Sequence, residues 1–503
     1  MITFIVALVV LVVGYVLYGT FVEKIFGIDP KAETPAITKN DGVDFVPMSG
    51  WRIFLVQFLN IAGLGPIFGA IMGIFFGPAA FLWIVFGTIF AGGVHDYLSG
   101  MLSLRKGGVS LPEIVGSELG SGIRVFMRVL SLVLLLLLTT TFLSGPATLL
   151  QGLAPLSTLP FHGRALPIAW LLIIFAYYAM ATVLPVDKLI GRFYPIFGAM
   201  LLFMGVGIAI VMLTQHGSAM PELTDGLQNR KADGLPLFPM MFVSIACGAI
   251  SGFHGTQSPI MSRCLTNERQ GRWIFYGAMV AEGILALIWA AAAGTFFADP
   301  EQGLDGIGGL QAFASHYDRG TNLPALIVDK VSRSWLGTVG GVLAIIGVIA
   351  APITSGDTAL RSARLIVADF LHIDQKPKMK RLMIALPLFL CVFGLVFVNF
   401  EIVWRYFSWT NQTLAMFTLW AGTVWLYRNQ KSEIRNQKYS FGYLIALIPA
   451  LFMTMVSTSY ILIAPEGFRL PEQYRWIGYA IAGVITLACL CGFTFWARNY
   501  KTK

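Results

Sequence analysis

Between Phe238 and Ser262 the chain reads FPMMFVSIACGAISGFHGTQSPIMS. Its length and apolar content suffice to cross a bilayer, which takes about 20 residues. Its second half nonetheless gathers Gly248, Ser251, Gly252, His254, Gly255, Thr256, Gln257, Ser258 and Pro259. A helix in hydrocarbon gives up internal hydrogen bonds only where protein or a water-filled cavity replaces them. Two readings follow. One is a span kinked for packing at Gly and Pro, both frequent in membrane helices. The other is a discontinuous helix whose freed backbone groups wall a transport site near the membrane midplane.

Composition sets the class. Of 503 residues, 56% are hydrophobic and only 12% charged, against about 25% charged in soluble domains. This is the balance of an integral membrane protein, and the net charge of +9 is read through its placement and not as a nucleic-acid footprint. Five cysteines lack metal or disulfide spacing and read as small hydrophobes. No phosphate-cradling or other cofactor motif is present, so ATP-driven transport would need a separate subunit. The N-terminal run has no basic region before it and no cleavage site, and reads as a retained span.

Apolar runs predict thirteen spans, near 2–22, 51–73, 80–102, 129–150, 166–184, 193–214, 237–260, 273–297, 335–353, 382–398, 411–427, 439–462 and 476–496. They make 1–503 a single transmembrane domain. Alternate loops 23–50, 103–128, 185–192, 261–272, 354–381 and 428–438, with the C-terminal tail, hold most of the 35 Lys and Arg residues. The positive-inside rule then places the N-terminus outside and the C-terminus in the cytoplasm. Within the loop 298–334, the segment 321–331 reads as a short interfacial or re-entrant helix. The aromatic stretch 399–410, NFEIVWRYFSWT, reads as an interfacial belt.

A second run is interrupted in the same way: QFLNIAGLGPIFGAIMG, Gln57 to Gly73, with Asn60, Gly63, Gly65 and Pro66. It lies five spans before the first and enters from the opposite side. Paired interruptions in corresponding positions point to an inverted repeat around a transport site. The expected fold is therefore an all-α polytopic membrane protein of about 13 helices with a 5+5 inverted repeat. Its units are 51–214 and 237–427, followed by additional helices over 439–496. Candidate substrate-binding residues are Asn60, Gly63, Gly65, Ser251, His254 and Gln257.

Ionisable and hydroxyl groups at membrane depth supply the coupling candidates, since buried charge there marks pairing or function. Glu282 lies about three turns inside a span and suits proton carriage. An unperturbed imidazole titrates near neutrality, so His254 could bind an anionic substrate when protonated or relay a proton. Thr354, Ser355 and Asp357 stand where a later span ends and suit a small cation held by oxygens, or a loop and helix cap. His95 and Asp96 form a local pair or line an inner vestibule. The partners these imply are a small organic solute, co-transported H⁺ or Na⁺, and membrane lipids. No feature fixes an oligomeric state. A channel or a non-transporting sensor is the alternative, although no repeated filter loop or signalling domain is seen.

Several blocks, WRIFLVQFLNIAGLGPIFGAIMG, AGGVHDYLSGMLSLRKGGVSLPEIVG, CGAISGFHGTQSP and SGDTALRSARLIVADF, together resemble the carbon starvation protein A family. The resemblance runs from about residue 45 to 430. It implies a bacterial inner-membrane carrier for peptides or pyruvate, working by proton symport, with a LeuT/APC-like core. It also implies that Asn60 to Pro66, Ser251 to Ser258 and Thr354 to Thr358 carry the site. The chain is shorter than several members of that family, so neither solute nor coupling ion follows from the resemblance.

Overall fold

In the computed structural model, the described residues are 1–42, 44–161, 164–183, 186–317, 322–373, 377–429 and 441–501. Helices run in the order α1 (Ile2–Phe26), α2 (Gly50–Ile61), α3 (Gly65–Ile74), α4 (Ala79–Arg105), α5 (Leu111–Leu119) and α6 (Ser121–Leu153). A hairpin of β1 (Leu159–Phe161) and β2 (Arg164–Leu166) intervenes. Then come α7 (Ile168–Val183), α8 (Val186–Gln215), α9 (Leu237–Ser244), α10 (Gly252–Ser262), α11 (Glu268–Phe296) and α12 (Gly306–Ser315). The last five are α13 (Leu323–Leu371), α14 (Lys378–Leu395), α15 (Phe400–Arg428), α16 (Leu444–Ile463) and α17 (Glu472–Tyr500).

Among the described residues, 8 helices are long and apolar enough to cross a membrane, or 9 if the bent pair α2 and α3 is one span. This corrects the expected thirteen spans in a 5+5 arrangement. Four of the expected runs fall away for identifiable reasons. Run 237–260 is divided into the 8-residue α9 and the 11-residue α10. Run 166–184 gives only the 16-residue α7. Run 382–398 belongs to α14, whose first turn carries Lys378, Lys380 and Arg381. Run 411–427 belongs to α15, where Thr410, Asn411, Gln412 and Thr413 dilute the apolar character. Counting apolar letters registers none of these interruptions.

Two other expected segments belong to longer helices. The segment 321–331 falls largely in the first part of α13, which breaks at Gly337, where φ is 67°, a conformation open to glycine. Val328 and Val331 are buried there, so this is a packed helix. The stretch 399–410 starts the 29-residue α15, where Trp404 is buried against Phe68, Phe400 and Phe407 while Tyr406 stays exposed. The basic residues of 430–440 lie outside the described residues. Cys264 is buried in the loop after α10, and burial pushes its thiol up to about 11, in keeping with an inert cysteine.

The core is organised by two helix breaks that pack on each other. α2 ends at Ala62, and α3 restarts with Pro66 in its first turn, bent by 43°. Proline suits the first turn of a helix, where its missing N–H leaves no bond unmade, which fits a restart here. α9 stops at Ile245, and α10 starts after an extended Ser251. A Cβ on Gly65 would lie 2.3 Å from Cys247, and one on Gly69 would lie 2.9 Å from the Ser244 carbonyl. Glycine at these positions is what lets the breaks meet.

The walls around the breaks are also irregular. α4 contains a π-helical turn at Thr88–Gly92, and α11 one at Arg272–Tyr276. Such turns widen the helix and leave a carbonyl to be satisfied elsewhere. The Tyr276 hydroxyl donates to the Ile89 carbonyl at 2.6 Å, and the Thr88 hydroxyl donates to the Gly248 carbonyl at 3.1 Å. The second bond ties α4 directly to the α9–α10 break.

Candidate functional site

Four ionisable side chains from three helices meet beside the α9–α10 break. His95 and Asp96 come from α4, His254 from the first turn of α10 and Glu282 from α11; all four are fully buried. His95 Nδ1 lies 2.8 Å from Asp96 Oδ1, and His254 Nδ1 lies 2.9 Å from Asp96 Oδ2. On its other side His254 Nε2 is 3.3 Å from Glu282 Oε2. Buried charge is tolerated when it is paired and hydrogen-bonded, and here carboxylates and imidazoles alternate.

This geometry assigns the protons. Asp96 uses one oxygen for each ring, so both imidazoles donate from Nδ1. That fixes the tautomer and leaves His254 Nε2 as the atom facing Glu282. Neither His254 Nε2 nor either Glu282 oxygen has a hydrogen-bond partner among the described residues. The pair is thus close enough to exchange a proton after a small approach, yet uncommitted. The other described side chains with no partner in this layer include the buried carboxamide of Gln257, one turn beyond His254. Ser258, on the same face, accepts from Gln57 Nε2 of α2 at 3.1 Å.

At the first break the backbone is held from α13. Ser355 Oγ lies 2.8 Å from the Asn60 carbonyl, 3.4 Å from that of Leu59 and 2.9 Å from that of Ala351. A Cβ on Gly63 would lie 3.5 Å from the same oxygen. Thr354 donates to its own helix at Ala351, 2.8 Å away. Asp357, two residues on, points elsewhere on the helix, where its charge is felt with Arg361 and Arg364.

The candidate residues therefore fall into two groups. His254 and Glu282 come together with His95 and Asp96, which form a fully buried local pair. Asn60, Gly63 and Ser355 form the second group, while Gly65 packs on Cys247 between the breaks. Thr354 and Asp357 join neither cluster. Ser251 is engaged by a residue that sequence reasoning missed, Asn411 of α15, whose neighbour Gln412 reaches the Phe242 carbonyl at 3.3 Å. The signal was present as TNQT, residues 410–413, four polar residues at the start of a run read as apolar.

Comparison with known proteins agrees with this architecture. A family model described as carbon starvation protein CstA matches residues 1–162 and 161–305. An uncharacterized membrane protein of Haemophilus influenzae is 46% identical over 349 residues, covering 61% of this chain and 94% of that protein. The pyruvate/proton symporter BtsT of Escherichia coli is 28% identical over 64% of this chain and 53% of its own length. The peptide transporter CstA of Campylobacter jejuni is 30% identical over 56% of this chain and 48% of its own. The chain thus matches about half the length of these named transporters. Among solved structures, the Eremococcus coleocola manganese transporter has a TM-score of 0.55 at 13% identity, covering 92% of this chain and 98% of that one. MhsT in complex with L-phenylalanine has 0.56 at 16% identity, covering 82% and 99%. At these identities the likeness is one of fold, and a distant one.

Proposed function

The chain belongs to the carbon starvation protein CstA family, and on that premise we propose that it imports a small carboxylate-bearing solute, a peptide or pyruvate, together with protons. It is a multi-pass inner-membrane transporter and not an enzyme. The observation that carries the proton reading is the buried run His95–Asp96–His254–Glu282 at the α9–α10 break. The solute would lie where the two breaks face each other, against Gln257 and the α2–α3 turn.

Coupling follows from charge balance. With one proton shared between His254 and Glu282 and with His95 neutral, the Asp96–His254–Glu282 group carries one net negative charge, whichever partner holds the proton. A second proton brings the group to neutrality. Interacting sites titrate as a unit, so proton uptake removes the repulsion that an anionic solute would meet in a low-dielectric site. Solute and proton are then admitted together, which is symport. Ser355 and the carbonyls of Leu59 and Asn60 offer an oxygen set suited to Na⁺, and this supports sodium coupling as the second reading.

Orientation is proposed from where the charges gather. At one end Arg105 pairs with Glu268, Lys106 and Arg428 share Glu118, and Arg428 lies over Trp496 of α17. At the other end the N-terminal ammonium meets Glu222, and Arg230 pairs with Asp305. The basic end, with the C-terminus, would be cytoplasmic.

The test is uptake by proteoliposomes of labelled pyruvate and labelled dialanine under separately imposed proton and sodium gradients. Accumulation driven by the proton gradient alone is expected. Accumulation that needs sodium and ignores the proton gradient would replace this reading with the second.

A further inference from the structure

A helix interrupted in the membrane leaves donors free at the start of its second half and acceptors free at the end of its first. At the α9–α10 break both are met by two adjacent residues of α15. Asn411 Oδ1 accepts from the Phe253 backbone N–H at 2.7 Å and from Ser251 Oγ at 3.1 Å. Asn411 Nδ2 donates to Ser251 Oγ at 3.0 Å and lies 3.5 Å from Cys247 Sγ. Gln412 Nε2 donates to the Phe242 carbonyl in the last turn of α9. Asn411 is fully buried. The N-cap residue Ser251 makes no side-chain cap bond of its own.

From these contacts we infer that Asn411 is a positioning residue of the transport site: a cap supplied from another helix that fixes the first turn of α10. His254 stands one residue after the capped Phe253, so the bond to Asn411 sets where the imidazole meets Asp96 and Glu282. Gly252 belongs to the same device. A Cβ there would fall 2.4 Å from the Asn411 carbonyl and 2.5 Å from Leu414 Cβ, so only glycine lets α10 approach closely enough to be capped. An Asn–Gln pair facing a helix break has this use, whereas in a lipid-facing run its burial would only cost free energy.

The inference rests on the transport reading above, and its test separates the two. Asn411→Leu removes every polar contact at similar volume, while Asn411→Asp keeps the acceptor that caps Phe253. Proton-driven uptake of labelled pyruvate and dialanine is measured for both in proteoliposomes at equal protein density. Asn411→Leu is expected to raise KM about tenfold or more, the effect of leaving a buried donor unmet, and to flatten the dependence of uptake on external pH. Asn411→Asp is expected to recover most of both. If Asn411→Leu does not purify as a folded protein, Gly252→Ala disturbs the same contact from the other side and carries the same expectation. Wild-type KM and pH profile in these variants, or an equal loss of maximal rate in Leu and Asp variants with KM unchanged, overturns the role of Asn411. Absence of gradient-driven uptake of both probes by the wild-type protein overturns the transport reading and the inference with it.

Discussion

The two helix breaks solve one problem with different partners. At the α2–α3 break the groups needing partners are carbonyls, and the Ser355 hydroxyl of α13 lies within reach of those of Asn60 and Leu59. At the α9–α10 break carbonyls are met too, by Gln412 and Thr88, but an N–H is capped as well, by the carboxamide oxygen of Asn411 from α15. The first break carries no ionisable side chain, while the second carries His254 and through it the run to Glu282 and Asp96. The lesson is a division of labour. On the proposed reading, one break shapes the site with backbone oxygens, and the other brings the groups that take up protons.

Several substitutions would break or sharpen this contrast. The largest effect is expected at His254. His254→Gln keeps a polar side chain but cannot carry a proton in this range, so proton-driven accumulation should fall to the level of empty liposomes. Accumulation at the wild-type level would move the coupling away from the second break. Next is the contact between the breaks. Gly65→Leu drives a side chain into Cys247 and should cost about 1–3 kcal/mol by overpacking, read as a lowered melting temperature of the purified protein in detergent. Cys247→Ala should recover part of it, and additive effects of the two changes would show that the breaks do not touch.

Ser355→Ala tests the first break alone. It removes the donor held by the Asn60 and Leu59 carbonyls, an effect of about 1–3 kcal/mol, and should lower the maximal uptake rate while leaving its pH dependence in place. A shifted pH profile would mean that the two breaks share the coupling role. The smallest effect is expected away from both. Arg405 binds Glu401 and Glu466 where α15 begins, and partly exposed ion pairs contribute less than about 1 kcal/mol. Arg405→Gln should therefore change melting temperature and uptake little.

Much of this arrangement is legible in the sequence because glycine and proline cluster with polar residues at two points inside apolar runs. Asn60 to Pro66 and Gly248 to Pro259 announce both breaks, and His254 and Glu282 announce themselves as ionisable groups at membrane depth. Their meeting with His95 and Asp96 was not legible, since it depends on how α4, α10 and α11 cross. The span count failed for a related reason: α15 runs through Asn411 and Gln412 without interruption, and both bond to the broken helix beside it. Apolar counting treats a polar residue as an edge, whereas a buried partner turns it into part of the wall.

Glu282 offers the most direct test of the central claim that the second break couples solute to protons. Glu282→Gln preserves shape but fixes this position in a neutral form and leaves His254 Nε2 with no carboxylate to exchange a proton with. In proteoliposomes loaded with unlabelled pyruvate or dialanine, this variant should exchange internal for external labelled solute without a gradient, because exchange needs no net proton movement. Under an imposed proton gradient it should fail to accumulate solute that the wild-type protein concentrates. A Glu282→Gln protein that concentrates solute from the proton gradient as the wild type does would contradict the account.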